Sequence, residues 1–183
     1  RAQLGLDEGM KYILVSGGSM GAGNIWRLVN KLSASADKNE KIILICGSNR
    51  KLYSRFKKAS LRGVTVKGHV NNMPLYLRAC DIIYTKPGGL TSTEAIVHTS
   101  PIPGCETKNR KFFKENGLCI TAHTIGGMVK KGMELLRDSD RCSEIVRCQT
   151  DVINKDSARD IYNFVIENSC CSNTEINLKS LNK

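Results

Sequence analysis

Two glycine-rich segments hold most of the chemistry this sequence can do. Gly17-Gly18-Ser19-Met20-Gly21-Ala22-Gly23 follows the apolar run 12–16 and precedes Ile25, Leu28, Val29 and Leu32 at helical spacing. Glycines let a backbone approach an anion, and a helix start presents unpaired N–H groups at the positive end of its dipole. Two familiar versions are excluded. A Walker loop closes on Gly-Lys-Ser/Thr, whereas this one closes on Gly23-Asn24-Ile25. A dinucleotide fold places an acid for the ribose at the end of its second strand, which here reads Ile45-Cys46-Gly47-Ser48. The second segment is Lys86-Pro87-Gly88-Gly89-Leu90-Thr91-Ser92-Thr93-Glu94-Ala95. Its Pro-Gly-Gly forces a tight loop, and Thr91 with Glu94 has the spacing of a capping box. On spacing alone these two are helix-start residues. The functional alternative aims a second helix start at the same diphosphate, with Glu94 accepting hydrogen bonds from two neighbouring ribose hydroxyls.

Positioning both loops requires strands that end side by side. Short apolar runs at 12–16, 41–46, 64–67 and 81–84 alternate with amphipathic stretches at 24–33, 51–59 and 73–79. Continuous apolar runs are those of strands buried on both faces, and the short connections predict a parallel sheet. The expected fold is therefore α/β, a Rossmann-like parallel sheet with helices on both faces and a helical C-terminal segment. Ligands of such sheets sit at the carboxyl ends of the strands, where both glycine segments fall. Further helices are expected at 108–115, 124–137, 143–149 and 157–168, with a short strand near 118–121. Residues 1–168 are expected to form one domain, and 169–183 a polar tail.

The chain has 183 residues, with 28 Lys plus Arg against 17 Asp plus Glu, a formal charge of +11. With 40% hydrophobic and 25% charged residues it is neither disordered nor fibrous. No apolar run is long enough to span a membrane, and the first residues lack a signal-peptide core. Residues 1–95 carry 15 basic and 6 acidic side chains, so the positive field is lopsided and attracts anions. Arg50, Lys51, Arg55, Lys57, Lys58 and Arg62 read as the exposed side of a helix. Without an interleaved row of aromatic stacking platforms, this cluster argues against nucleic acid. The eight cysteines form no Cys-x-x-Cys pair, and His69, His98 and His123 lack zinc-ligand spacing. Free thiols in a reducing compartment are expected, with neither metal nor cofactor.

The segment 15–23 followed by 86–95 resembles the C-terminal domain of the glycosyltransferase-28 group, one half of a two-domain GT-B architecture. Lys86-Pro87-Gly88-Gly89-Leu90-Thr91 with Thr93-Glu94-Ala95 is most similar to the diacylglycerol branch, monogalactosyldiacylglycerol synthases and processive diacylglycerol glucosyltransferases. Pro103-Gly104-Cys105-Glu106, Asn109 and Phe112-Phe113 resemble that branch's sugar-binding segment, although Cys105 replaces a frequent glutamine. The resemblance implies a hexosyltransferase using a UDP-sugar, UDP-glucose or UDP-galactose, with diacylglycerol or another lipid as acceptor. Gly17, Gly18, Ser19, Met20 and Gly21 would line the diphosphate, and Gly88, Gly89, Leu90 and Thr91 would face it across the cleft. Gly68, His69 and Val70 would hold the uracil, Glu94 the ribose diol, and Glu106 and Asn109 the transferred hexose.

The resemblance also implies a cytoplasmic protein, peripheral at the anionic inner face of the cell membrane. It places the catalytic base in an N-terminal domain or partner chain, so this chain alone is expected to be inactive. A degenerate nucleotide-binding fragment is the alternative, as is a lipid-linked N-acetylglucosaminyl transferase-like half that needs a partner. One departure bears on these: only Ala95-Ile96-Val97-His98-Thr99-Ser100 separates Glu94 from Pro101. A complete βαβ unit needs roughly ten residues more, so an internal deletion of a strand or most of a helix is expected.

Overall fold

Alternation along the strands sends consecutive side chains to opposite faces, and both faces are buried. The computed structural model describes residues 1–16, 24–86, 97–98, 105–154 and 156–176. Six strands pair in parallel: β1 (Lys11–Ser16), β2 (Glu40–Ile45), β3 (Val64–Lys67), β4 (Ile82–Thr85), β5 (Val97–His98) and β6 (Ile120–Thr121). Their order is β3-β2-β1-β4-β5-β6. The helices are α1 (Ile25–Ser35), α2 (Arg50–Ala59), α3 (Met73–Ala79), α4 (Cys105–Glu115), α5 (Ile125–Arg137), α6 (Ser139–Val152) and α7 (Ser157–Ile176).

Ile13, Val15, Ile42, Leu44, Ile82 and Tyr84 point to one face, which α1, α2, α5 and α6 cover through residues such as Leu28, Phe56, Met133 and Ile145. Tyr12, Leu14, Ile43, Ile45 and Ile83 point to the other, where Tyr76 of α3 packs with Leu4 and Leu6. Helices therefore lie on both faces. Side-chain caps start four of them among the described residues: Asn24 accepts from Arg27 N, Asn49 from Leu52 N, Thr124 from Gly127 N and Asp138 from Arg141 N. In α2, Phe56 turns inward and the basic residues outward. Two aromatics thus stand in the basic segment after all, Phe56 in the core and Tyr53 half-buried.

Several boundaries differ from expectation. Asp81 stops short of β4: its carboxylate accepts the Tyr12 N–H at 2.6 Å, and both of its oxygens accept from Nη2 of Arg1 at 2.9 Å. Helix α4 begins at Cys105, three residues before the expected 108, which brings Glu106 onto the same helix as Asn109. The shortened stretch retains a strand: β5 pairs with β4 at Tyr84↔Val97 and with β6 at Val97↔Ile120. Its crossover from β4, residues 86–96, is the shortest of the five and stands near the minimum of about a dozen residues for a parallel connection. The chain forms two compact units, Arg1–Gln149 and Thr150–Lys183. Helix α7 runs through position 168, where the sequence suggested that a tail begins.

The amino ends of the strands are tied by charge. Glu40, 5% exposed, receives Arg137 Nε at 2.9 Å and Nη2 at 3.0 Å, and the Asp37 N–H at 2.8 Å. Burial alone would raise its pKa. The Arg137 hydrogen bonds, the Asp37 amide and the charges of Arg137 and Lys11 outweigh burial and leave it below the ordinary carboxylate value. A depressed folded pKa contributes stability above the unfolded value of 4.5 and loses it as pH falls through the folded value. Glu40→Gln should cost about 1–3 kcal/mol at pH 7, and the difference from the parent should shrink as the solution is acidified below pH ~4.5. Urea titrations at pH 7 and pH 3.5 check this. An equal gap at both pH values would remove the ionic account.

Candidate functional site

The strand order reverses direction between β1 and β4, and there the carboxyl ends of two adjacent strands open a crevice. Ser16 and Thr85, the last residues of β1 and β4, are register partners and both buried. The segments 17–23 and 87–96 leave from these neighbouring ends. Gly17, Gly18, Ser19, Met20, Gly21, Gly88, Gly89, Leu90, Thr91 and Glu94 themselves lie outside the described residues. What the structure does describe is their supports, the paired strand ends and the capped start of α1.

One strand further on, residues 99–104 lead from β5 to α4. Helix α4 is anchored by buried Phe113, by Arg110 Nη2 donating to Ala122 O at 3.1 Å, and by Leu118 N donating to Phe113 O at 2.9 Å. Gln149 of α6 secures that turn through its Nε2, 2.7 Å from Leu118 O. Glu106 and Asn109 stand three residues apart on α4 and share a face. Glu106 is 5% exposed and lies in the first turn, where the helix dipole favours an anion. Lys86, the residue after β4, places Nζ 2.9 Å from Glu106 Oε1.

Lys86 is a residue at this edge whose ion pair is not legible in the sequence. A lysine at a strand end reads as solvated, and its acidic partner is on another element. The remaining signal was weak: a cation at the root of one loop and an acid at the far root of the next.

On the other side of the crevice, residues 68–72 follow β3. His69 and Gly68 line a cleft of about 320 Å³ with Gly47, Ser48, Arg50 and Tyr53. A Cβ at Gly68 would meet the Tyr53 ring only at an ordinary contact distance of 4.0 Å, so the cleft does not demand a glycine there. His69 is exposed, whereas Val70 is half-buried against the second core. Ser48 and Tyr53 carry no motif, and Arg50 reads from sequence only as part of the basic helix face, because all three follow β2 rather than either glycine segment. From β3 to β4 is three strand spacings, roughly 14 Å. The structure thus brings Glu106 and Asn109 together beside β4, and leaves His69 and Val70 at the opposite end of the same edge. Such an edge suits an elongated ligand carrying an anionic centre.

Cys46, at the end of β2, contributes no nucleophile: burial pushes its thiol up to about 11. Among the described residues, no cluster of His, Cys, Asp or Glu could hold a metal ion.

A parallel sheet of this order, with its crevice between β1 and β4, defines a Rossmann-type α/β domain. Residues 12–102 match the model of the glycosyltransferase family 28 C-terminal domain, and the chain belongs to that family. It is 35% identical over 130 residues to monogalactosyldiacylglycerol synthase 1 of Arabidopsis thaliana, covering 64% of this chain and 24% of the relative. It is 26% identical over 175 residues to a processive diacylglycerol beta-glucosyltransferase of Bacillus pumilus, covering 90% of this chain and 45% of the relative. The chain thus spans about a quarter to under half of these curated relatives. Among solved structures, Acinetobacter baumannii MurG superposes with a TM-score of 0.68 at 17% identity, covering 91% of this chain and 52% of that one. WaaG, a glycosyltransferase involved in lipopolysaccharide biosynthesis, gives 0.65 at 15%, over 84% of this chain and 46% of that one. At those identities the likeness shows the fold, that of one half of a GT-B glycosyltransferase.

Proposed function

We propose that the chain is the donor-binding half of a hexosyltransferase that takes a UDP-hexose and serves glycosylation of diacylglycerol. The observation that carries this reading is the family 28 domain whose two glycine segments leave from register-paired strand ends. In this reading the diphosphate lies over the β1/β4 crevice, the uracil occupies the cleft at His69, and the hexose meets Glu106 and Asn109. In the transfer step the acceptor hydroxyl oxygen bonds to the anomeric carbon while the bond from that carbon to the diphosphate breaks. The leaving UDP takes the electron pair and the acceptor proton passes to a base. Backbone N–H groups and helix dipoles fixed around the departing diphosphate stabilise its growing charge, and this chain supplies that half of the chemistry. The base and the lipid-acceptor surface are assigned to an N-terminal domain or a partner chain.

Calorimetric titration of the chain with UDP, UDP-glucose and UDP-galactose tests the donor site. Binding of UDP with tighter binding of at least one UDP-hexose is the expected result, and no heat from any of them at millimolar concentration would sink the reading.

The membrane side of the proposal rests on α2. Lys51, Arg55, Lys57 and Lys58 are exposed along one helix, with Arg55 3.9 Å above the Trp26 ring. No helix among the described residues is long and apolar enough to cross a membrane, so attachment through this part of the chain would be electrostatic. Flotation should show binding to phosphatidylglycerol-containing vesicles that falls steeply with salt. Equal recovery with pure phosphatidylcholine would refute an anionic surface.

A further inference from the structure

Glu106 poses a physical problem. A carboxylate at 5% exposure is costly to ionise unless a cation accompanies it. The cation is Lys86, whose Nζ stands 2.9 Å from Oε1. The two come from different elements, Lys86 from the exit of β4 at the root of the second glycine segment, and Glu106 from the first turn of α4. The lysine side chain remains 27% exposed, so its ammonium joins a buried acid to the accessible edge of the crevice. An ammonium on a flexible stem is a point charge with three donors, able to fix a carboxylate while leaving that carboxylate's acceptor capacity for other donors.

We infer that Lys86 is a positioning residue for hexose recognition: through its ion pair it holds the Glu106 carboxylate aimed, and so sets the preference of the site for UDP-hexose over UDP. This rests on the donor-site reading above and extends it to a residue that the sequence motifs left as a solvated lysine. The alternatives are distinct in their consequences. A lysine that touches the diphosphate directly would strengthen UDP and UDP-hexose equally. A purely structural ion pair would change stability and leave the preference where it was.

The measurement is the ratio of the UDP dissociation constant to that of the better-bound UDP-hexose, taken on the 183-residue chain. In Lys86→Met the ratio should fall about tenfold towards unity, the scale of one charge-assisted hydrogen bond, with UDP itself changed much less. Lys86→Arg should restore most of the ratio. Adding Lys86→Met to Glu106→Gln should not lower it further than Glu106→Gln alone, because each change removes the same interaction. The double variant buries no unpaired charge and keeps the comparison open if Lys86→Met fails to fold. An unchanged ratio in Lys86→Met, equal losses for both ligands, or additive effects in the double variant would each overturn the inference. If the parent chain binds neither ligand, the donor-site reading fails and takes this inference with it. If the parent discriminates and Lys86 variants discriminate equally, the inference alone is wrong.

Discussion

Gly132→Ala is expected to destabilise the chain by about 1–3 kcal/mol, although the exchange normally favours a helix by roughly 1 kcal/mol. The reason is the close crossing of α5 over β4. A methyl built on Gly132 runs into the Tyr84 hydroxyl and its ring carbon. Tyr84 is fully buried, and its hydroxyl lies 3.4 Å from Met128 O. Burial also drives its phenol pKa well above the ordinary value, so the group stays neutral and gains nothing from alkaline pH. The collision must therefore be relieved by lifting α5 or by displacing β4. Either movement reaches Thr85 and Lys86, one and two residues further on. A thermal midpoint lower by several degrees is expected, at about 2–4 °C per kcal/mol for a chain of this size. Gly132→Ala with Tyr84→Phe should recover part of the loss, since the hydroxyl makes the worst contact. A single variant as stable as the parent would show that the helix and sheet can separate at no cost.

The second large effect concerns the nucleotide. Glu94→Ala is expected to weaken UDP by about 1.5–3 kcal/mol, roughly ten- to 150-fold, if its carboxylate accepts both ribose hydroxyls. The assignment comes from the position of Glu94 in Lys86–Ala95 motif chemistry and from family 28 membership, because 87–96 lies outside the described residues. A helix-start role and a ribose role make different forecasts. Loss of a capping partner lowers stability and affects every ligand alike. Loss of a diol partner penalises UDP far more than 2′-deoxy-UDP, which has already forfeited one of the two hydrogen bonds. Titrations of parent and variant with both nucleotides decide between them. Equal losses would leave Glu94 as a capping residue.

Much of the sheet is written plainly in the sequence. The runs ending at Ser16, Ile45 and Thr85 are apolar enough to be strands buried on both faces, the short run ending at Lys67 is an edge strand with Val66 buried, and the helices between them carry their apolar residues on one side. The β1/β4 crevice follows from that alternation and from where the glycines fall. What escaped reading depends on partners distant in sequence. Strand β5 has only Val97 and His98, too few residues to show a period, and exists because β4 and β6 pair with it from either side. The start of α4 is hidden because Cys105 and Glu106 carry no capping signature, although the long-range anchors at Arg110 and Phe113 fix the helix. Lys86 gains its meaning from Glu106, and Gly132 from Tyr84. In each pair one member alone reads as ordinary, a solvated cation or a weak helix former.

The central claim is a location: a nucleotide-sugar site along the carboxyl edge of the sheet, centred between β1 and β4. Backbone amide NMR of the chain titrated with UDP tests it most directly. The account predicts shifts at Ser16, Thr85 and Lys86 and around Gly68–Val70, with the amino-end cluster of Lys11, Glu40 and Arg137 unmoved. Shifts confined to that amino end, or none anywhere at saturating UDP, would contradict it.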